Sequence, residues 1–423
     1  MKNIFLMIIY IGFTLTYTLY LFLKQMIWSN TQKQIDNNNA PFDIVCISHV
    51  MWSKAWQRNH HTMHVFSRKH KVLYCNPYIV NLDGIANIST ARENSKATEN
   101  NNLIVINPLL LSGERRLPFL SKINKWILTT YIKDNMKQMH MGKTVLWFYS
   151  PIQEYLVGVF NEILTVYDIQ DEYSAYLGRP EEITAREMRL LKKVDLVFTG
   201  TNSLYEEKKK YNATIHFVPC GVDIEHFKKA RSPTLPLPID IRDIPHPIIG
   251  YFGMVCGRID TNLLTHMASL HPEWSIVLIG ERVKKDFIIE ERANMHLLGK
   301  KDYKELPYYL QAFDVCTIPF KLNELTLKVN PTKLLEYLSA GKPVVSTAIP
   351  DMIKFYSHII SIAQTKEEFV KLTEKCIKEK NDDKVLKGIE LSKRNSWKVM
   401  VDNMEKLILS NIRRKHNHHE TGK

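Results

Sequence analysis

Short, near-continuous apolar runs alternate with helical stretches along this chain, and that alternation restricts the possible folds more than any other feature. The runs are 43–48 (DIVCIS), 71–76 (KVLYCN), 103–107 (LIVIN), 144–149 (TVLWFY), 164–169 (LTVYDI), 195–200 (DLVFTG) and 214–219 (TIHFVP). Strands without polar alternation need cover on both faces, which parallel sheets obtain from crossover helices. A second series follows at 248–252 (IIGYF), 275–280 (SIVLIG), 295–298 (MHLL), 314–319 (DVCTIP) and 343–347 (PVVST). Between the two series stand Pro233, Pro236, Pro238, Pro245 and Pro247, a stiff connection of the kind that separates domains. The sequence therefore predicts an α/β protein of two doubly wound, Rossmann-like domains, at 41–235 and 236–390. Residues 391–423 form a C-terminal helix and basic tail.

A chain of 423 residues is long enough for two such cores. Its net charge of +13 favours anionic partners, among them phosphate-bearing substrates and anionic lipid. No nucleic-acid-binding motif is present, so nucleic acid is not expected as a partner. The six cysteines are scattered without a CxxC pair. Cys46, Cys75 and Cys316 fall inside strand-like runs and read as buried free thiols. Residues 4–23 carry no charge and are long enough to span a bilayer about 30 Å thick. No small-residue cleavage site follows them, so residues 1–28 are expected to be an uncleaved membrane anchor, with 29–40 as a spacer. Residues 84–102 read as loop. Arg413, Arg414, Lys415 and the histidines beyond read as a solvated basic end.

Candidate chemistry concentrates in Asn330-Pro331-Thr332-Lys333-Leu334-Leu335-Glu336 and the run to Thr347. The pattern is a short helix followed by a buried strand. Asn330 suits the N-cap, Pro331 the first turn and Gly341 the position past the end. Leu334, Leu335 and Leu338 share one face; Thr332, Lys333 and Glu336 share another. A hydroxyl and an ammonium at a helix start, with a carboxylate one turn further, suit a diphosphate and a ribose. An ordinary capped helix with a solvated Lys–Glu pair accounts for these residues equally well. Gly250-Tyr251-Phe252-Gly253, with Arg258 beyond, follows a strand; its glycines allow close backbone approach to phosphate, and Arg258 can neutralise it. The pattern is not GxGxxG, so a nicotinamide enzyme is poorly supported.

The run NPTKLLEYLSAGKPVVST resembles the donor-binding signature of nucleotide-sugar glycosyltransferases of the GT-B fold, the bacterial group 1 or family 4-like type. The stretch YDIQDE at 167–172, the run from Trp52 and Trp56 through Gln57, Arg58, His60 and His61, and Pro219-Cys220-Gly221-Val222-Asp223 with Phe227 are similar to further stretches of that group. The resemblance implies two Rossmann-like domains with the active site between them. It implies a donor site of Gly253, Arg258, Asn330, Thr332, Lys333 and Glu336, the last at the ribose. The commoner pattern has an acid eight positions before that glutamate, where this chain has Lys328. Asp171, beyond a strand, can orient an acceptor hydroxyl or take its proton, with Glu172 beside it. Helix capping by Asp171 accounts for it equally well. His49 and Arg58 are candidates on the acceptor side. His60 and His61 read as surface residues, and no Cys or acid beside them completes a zinc set.

The expectation is a glycosyltransferase that moves a sugar from a nucleoside-diphosphate sugar to a hydroxyl of a cell-surface polysaccharide or glycolipid intermediate. No D-x-D follows a strand, so no metal or other cofactor is expected, and the family likeness leans to retention of configuration. Expected partners are the nucleotide sugar, a glycan or lipid-linked acceptor and the membrane, with the catalytic domains on its cytoplasmic face. A nucleotide-sugar epimerase and a non-catalytic, nucleotide-sugar-binding scaffold are the alternatives; the anchor argues against the first and Lys328 favours the second.

Overall fold

The computed structural model describes residues 40–54, 56–77, 100–108, 110, 119–172, 181–283, 289, 290, 292–379 and 382–421. The apolar segment 4–23 and most of the 84–102 stretch lie outside these. Among the described residues no helix is long and apolar enough to cross a membrane.

Seven strands build the first sheet: β1 (Asp43–Ile47), β2 (Val72–Cys75), β3 (Leu103–Ile106), β4 (Thr144–Phe148), β5 (Leu164–Ile169), β6 (Leu196–Thr199) and β7 (Ile215–Phe217). Six build the second: β8 (Ile248–Phe252), β9 (Ser275–Ile279), β10 (Met295–Gly299), β11 (Val315–Ile318), β12 (Val344–Thr347) and β13 (Ser361–Ala363). The strand orders are β3-β2-β1-β4-β5-β6-β7 and β10-β9-β8-β11-β12-β13, with every pairing parallel. Both orders reverse direction once, between β1 and β4 and between β8 and β11. Open α/β sheets bind ligands outside the strand carboxyl ends at that reversal. All twelve strands expected from the apolar runs are present. Central strands β1, β4, β8 and β9 are buried at every residue, as two covered faces require. Cys46, Cys75 and Cys316 are buried and unbridged.

The first sheet's faces form separate cores. One holds Ile44, Cys46, Trp147, Val166 and Phe198; the other holds Val45, Leu146, Phe148, Tyr167 and Val197 under Leu128, Ile132, Leu190 and Leu191. The first of these cores is closed by the far end of the chain. After the second domain the backbone returns beside its outward path: Val222 bridges Ser396, with Val222 N donating to Asn395 O at 3.0 Å and Trp397 N to Val222 O at 3.2 Å. Helix Trp397–Thr421 then lays Trp397, Met400, Val401, Met404 and Ile408 on the first sheet. Their spacing is an amphipathic helix stripe. Five such side chains contribute roughly 8–15 kcal/mol of transfer free energy before entropy is subtracted. The tail is thus an integral part of the first domain. Its basic end is engaged as well, Arg414 Nη2 donating to Thr214 Oγ1 at 2.9 Å and Lys415 Nζ to Asp195 Oδ2 at 2.9 Å.

Candidate functional site

At the reversal of the second sheet, β8 runs into Gly253, whose φ is +138°. Its N–H donates to Ile279 O at 2.9 Å. Gly280, at the end of β9, has φ +151°, and a Cβ there would lie 1.7 Å from Gly253 O. Only two glycines let these strand ends touch. A Cβ on Gly253 would in turn lie 2.8 Å from Lys333 Cε. The Lys333 ammonium stands 5.4 Å from the ring centroids of both Tyr251 and Phe320. Such cation–ring contacts contribute about 0.5–2 kcal/mol and fix where the charge sits. Tyr251 is locked from below by its hydroxyl, which donates to Met254 O at 3.1 Å. Gly253, Lys333 and the loop carrying Arg258 therefore converge on one spot.

Lys333 opens the helix Lys333–Ser339. Asn330 does not cap it. The preceding residue, Thr332, is already helical, the first turn closes through Leu334 N to Pro331 O at 3.1 Å and Leu335 N to Thr332 O at 3.1 Å, and the Asn330 amide reaches Tyr356 Oη at 3.4 Å. The end matches the expectation: Gly341 has φ +72°, with Gly341 N donating to Leu338 O and Lys342 N to Tyr337 O. Leu334, Leu335, Tyr337 and Leu338 bury one face, and the Tyr337 hydroxyl accepts the Phe252 N–H at 3.0 Å. That contact ties the helix to the end of β8. Glu336 lies one turn from Lys333 on the half-buried face. Burial pushes its carboxyl up to about 7, with Lys333 opposing the rise. Burial lowers the Lys333 ammonium, Glu336 opposes that, and Arg258 adds to it by repulsion. The half-buried Thr332 stands at the start of the same helix.

The first-domain candidates divide. His49 stands half-buried beyond β1, its ring 6.4 Å from that of Tyr149. Asp171 stands half-buried beyond β5. Sheet order puts β4 between β1 and β5, so the two loops are two strand spacings apart, about 10 Å. They do not form a hydrogen-bonded pair. Arg58, expected on the acceptor side, is 2% exposed. Its Nε lies 3.1 and 3.0 Å from the two carboxylate oxygens of Asp168, and Nη1 donates to Val218 O at 2.6 Å. It bolts the helix Arg58–Phe66 to the ends of β5 and β7 and has no access to an acceptor. Glu172 is also buried. Its carboxylate meets Lys208 Nζ at 3.1 Å and, from the second domain, Lys328 Nζ at 3.3 Å.

His60 and His61 differ from their expected surface positions. His60 is buried, accepting from Gln57 N on Nδ1 at 3.0 Å and donating from Nε2 to Met51 O at 3.1 Å. His61 stacks on Trp397 at 4.5 Å, where the two crossings meet. Asp223 and Phe227 are structural, as expected of that turn: Asp223 Oδ1 accepts His226 N at 3.1 Å, and Phe227 is fully buried. Gly280, Tyr251 and Phe320 were not singled out by the sequence. Gly280 ends the strand neighbouring that of Gly253, and its place after a buried run is the one signal that points to it. A cavity of about 410 Å³ lined by Tyr205, His216, Phe217, Arg394, Met400 and Asn403 includes none of the candidate residues. Among the described residues no three His, Cys, Asp or Glu side chains group to hold a metal ion.

Residues 247–379 match the family described as Glycosyl transferases group 1. TuaH of Bacillus subtilis (strain 168), named as a glycosyltransferase of teichuronic acid biosynthesis, is 25% identical over 258 residues, which are 56% of this chain and 64% of that protein. Sucrose-phosphate synthase from Thermosynechococcus elongatus superimposes with a TM-score of 0.65 at 14% identity, over 87% of this chain and 98% of its own. Anabaena Alr3699/HepE in complex with UDP-glucose gives 0.65 at 11% identity, over 87% and 100%. WaaG, a glycosyltransferase involved in lipopolysaccharide biosynthesis, gives 0.57 at 13%, over 85% and 98%. At these identities the structures share a fold with this chain.

Proposed function

We propose that this chain, a two-domain protein of GT-B fold whose second domain is a glycosyl transferases group 1 domain, transfers a sugar from a nucleoside-diphosphate sugar to a hydroxyl of a cell-surface polysaccharide or glycolipid intermediate. The observation that carries the reading is the convergence of Lys333, Glu336, Gly253 and Arg258 at the reversal of the second sheet. Lys333 and Arg258 supply positive charge to the diphosphate, and Gly253 lets its backbone approach. The Glu336 carboxylate accepts from the ribose hydroxyls. Thr332 and Asn330 lie beside the phosphates. Charge that grows on the departing diphosphate meets two cations already in place, which is where preorganised electrostatics lowers a barrier most. No divalent cation enters this scheme, and configuration at the transferred carbon is retained. The UDP-glucose held by HepE supports the donor class, and the teichuronic acid name of TuaH supports an envelope polymer as acceptor.

In the same reading the first domain presents the acceptor, with Asp171 and His49 near its hydroxyl. Arg58 and Glu172 support that domain from within. Residues 4–23 anchor the chain in the membrane with both domains on the cytoplasmic face, where nucleotide sugars are made.

A panel of nucleotides and nucleotide sugars, read as thermal shifts on the full chain, tests this. A ligand at 100 times its dissociation constant adds about 2.7 kcal/mol. One diphospho-sugar is expected to stabilise the protein, and Lys333→Ala and Glu336→Ala to abolish the shift. Conversion of that sugar without acceptor would mark an epimerase. Polymer output unchanged by Glu336→Ala in cells would mark a scaffold.

A further inference from the structure

The seven-residue helix Asn202–Lys208 belongs to the first domain, yet the second domain holds it at both ends. At its start Asp351, 2% exposed, accepts the Asn202 N–H on Oδ2 at 2.9 Å and the Ser203 hydroxyl on Oδ1 at 3.3 Å. Lys354 Nζ adds a bond to Asn202 Oδ1 at 3.0 Å. At its other end Lys328 Nζ meets Glu207 Oε2 at 2.6 Å and Glu172 Oε2 at 3.3 Å. Lys208, from the helix itself, joins Glu172, Glu187 and Glu207 at 3.1, 3.3 and 3.1 Å. A carboxylate at the helix start and a cation at its end both match the helix dipole. The grip thus follows the polarity of what it holds.

The two holding residues bracket the donor helix in sequence. Lys328 precedes it and Asp351 follows β12. Lys328 also fills the position where the commoner pattern has an acid. In this chain that position reaches the first domain, where Lys328 joins Lys208 beside Glu172 and Glu207. Loss of Lys328 removes one of the two ammonium groups that meet Glu172 and Glu207.

We propose that Lys328 and Asp351 are positioning residues that set the spacing of the two domains, so that the donor helix faces the acceptor domain at one fixed separation. This rests on the transferase reading for its effect on turnover, and on the geometry alone for its effect on shape. Neither residue touches Lys333 or Glu336, so donor affinity and turnover separate. Lys328→Glu places a third carboxylate against Glu172 and Glu207, and the like charges repel.

The experiment uses the full chain and four variants: Lys328→Glu, Lys328→Glu/Glu207→Lys, Lys328→Met and Asp351→Asn. Small-angle scattering is expected to show a larger radius of gyration for Lys328→Glu and recovery in the charge-swapped double variant. Nucleotide-sugar affinity is expected to stay within about threefold of the parent while turnover falls at least about tenfold. Lys328→Met and Asp351→Asn, milder changes that keep the fold if the reversal does not, are expected to move both readouts the same way by less. Scattering unchanged in all four, or a charge swap that rescues nothing, overturns the proposal. So does a loss of donor affinity equal to the loss of turnover, because the lysine then acts inside the donor site. If the parent binds no nucleotide sugar the transferase reading fails, and the scattering series still decides the grip.

Discussion

Replacing Arg58 by methionine tests whether this residue is a bolt or an acceptor ligand. The guanidinium is 1% exposed and the Asp168 side chain 0%, with Nη2 to Oδ1 at 3.0 Å in addition to the two Nε contacts. Methionine fills similar volume but leaves a carboxylate in the core without its cation and Val218 O without its donor. Breaking one partner of a buried pair costs about 3–5 kcal/mol. For a domain of this size that lowers the midpoint of its unfolding transition by roughly 6–20 °C. The assay is thermal and urea unfolding of Arg58→Met, Asp168→Leu and the double variant. The double variant is expected to regain most of the loss, because an apolar pair of similar volume replaces an ion pair with little penalty. A single variant that loses less than about 1 kcal/mol would falsify the argument. A rise in acceptor KM at unchanged stability would return Arg58 to the acceptor surface.

Further outcomes follow from the same geometry. Gly280→Ala is expected to destabilise the second domain by roughly 2–5 kcal/mol, combining a strained φ with a clash on Gly253 O, and to weaken nucleotide-sugar binding; a functional, equally stable variant would show that the two turns do not depend on each other. The proposed donor site uses Glu336 as a carboxylate, and burial pushes its carboxyl up to about 7, so nucleotide-sugar affinity measured by calorimetry should fall as pH drops below 7, and Glu336→Gln should remove that dependence. Burial lowers His60 to about 4, against about 6.5 in the unfolded chain. Its stabilising contribution is complete above 6.5 and is lost as pH falls towards 4, by about 3 kcal/mol in all. Urea unfolding across that window should show a shallower slope for His60→Asn than for the parent, and parallel slopes would refute the assignment.

How much of this was readable beforehand depends on whether the signal was local. The expected strands are present because each carries a run of apolar residues that two covered faces demand. β13 was not anticipated: Ser361–Ala363 is three residues long, sits at the sheet edge and is half-exposed at two of them, which leaves no run to see. Lys333, Glu336 and Gly253 were legible because the first two lie one turn apart and the third ends a strand. Arg58 and Asp168 are 110 residues apart, and nothing near either names the other. Lys328 was conspicuous as a departure from a pattern, but its partners Glu172 and Glu207 lie in another domain. Residue type points to Asn330 as a cap, and the chain instead begins its turn with carbonyls of Pro331 and Thr332.

The return of the last helix to the first sheet has a consequence for the order in which the protein can be built. The second domain is continuous and is complete on the ribosome before residue 397 is made. The first domain has all seven of its strands by residue 217 but lacks five side chains of the core on one face of its sheet until Trp397–Ile408 arrive. At synthesis rates of about 5–20 residues per second the interval is roughly 10–35 s. During it, Ile44, Trp147 and Phe198 have Met63 and Phe66 beside them on that side but not the returning helix. The domain that starts first therefore finishes last.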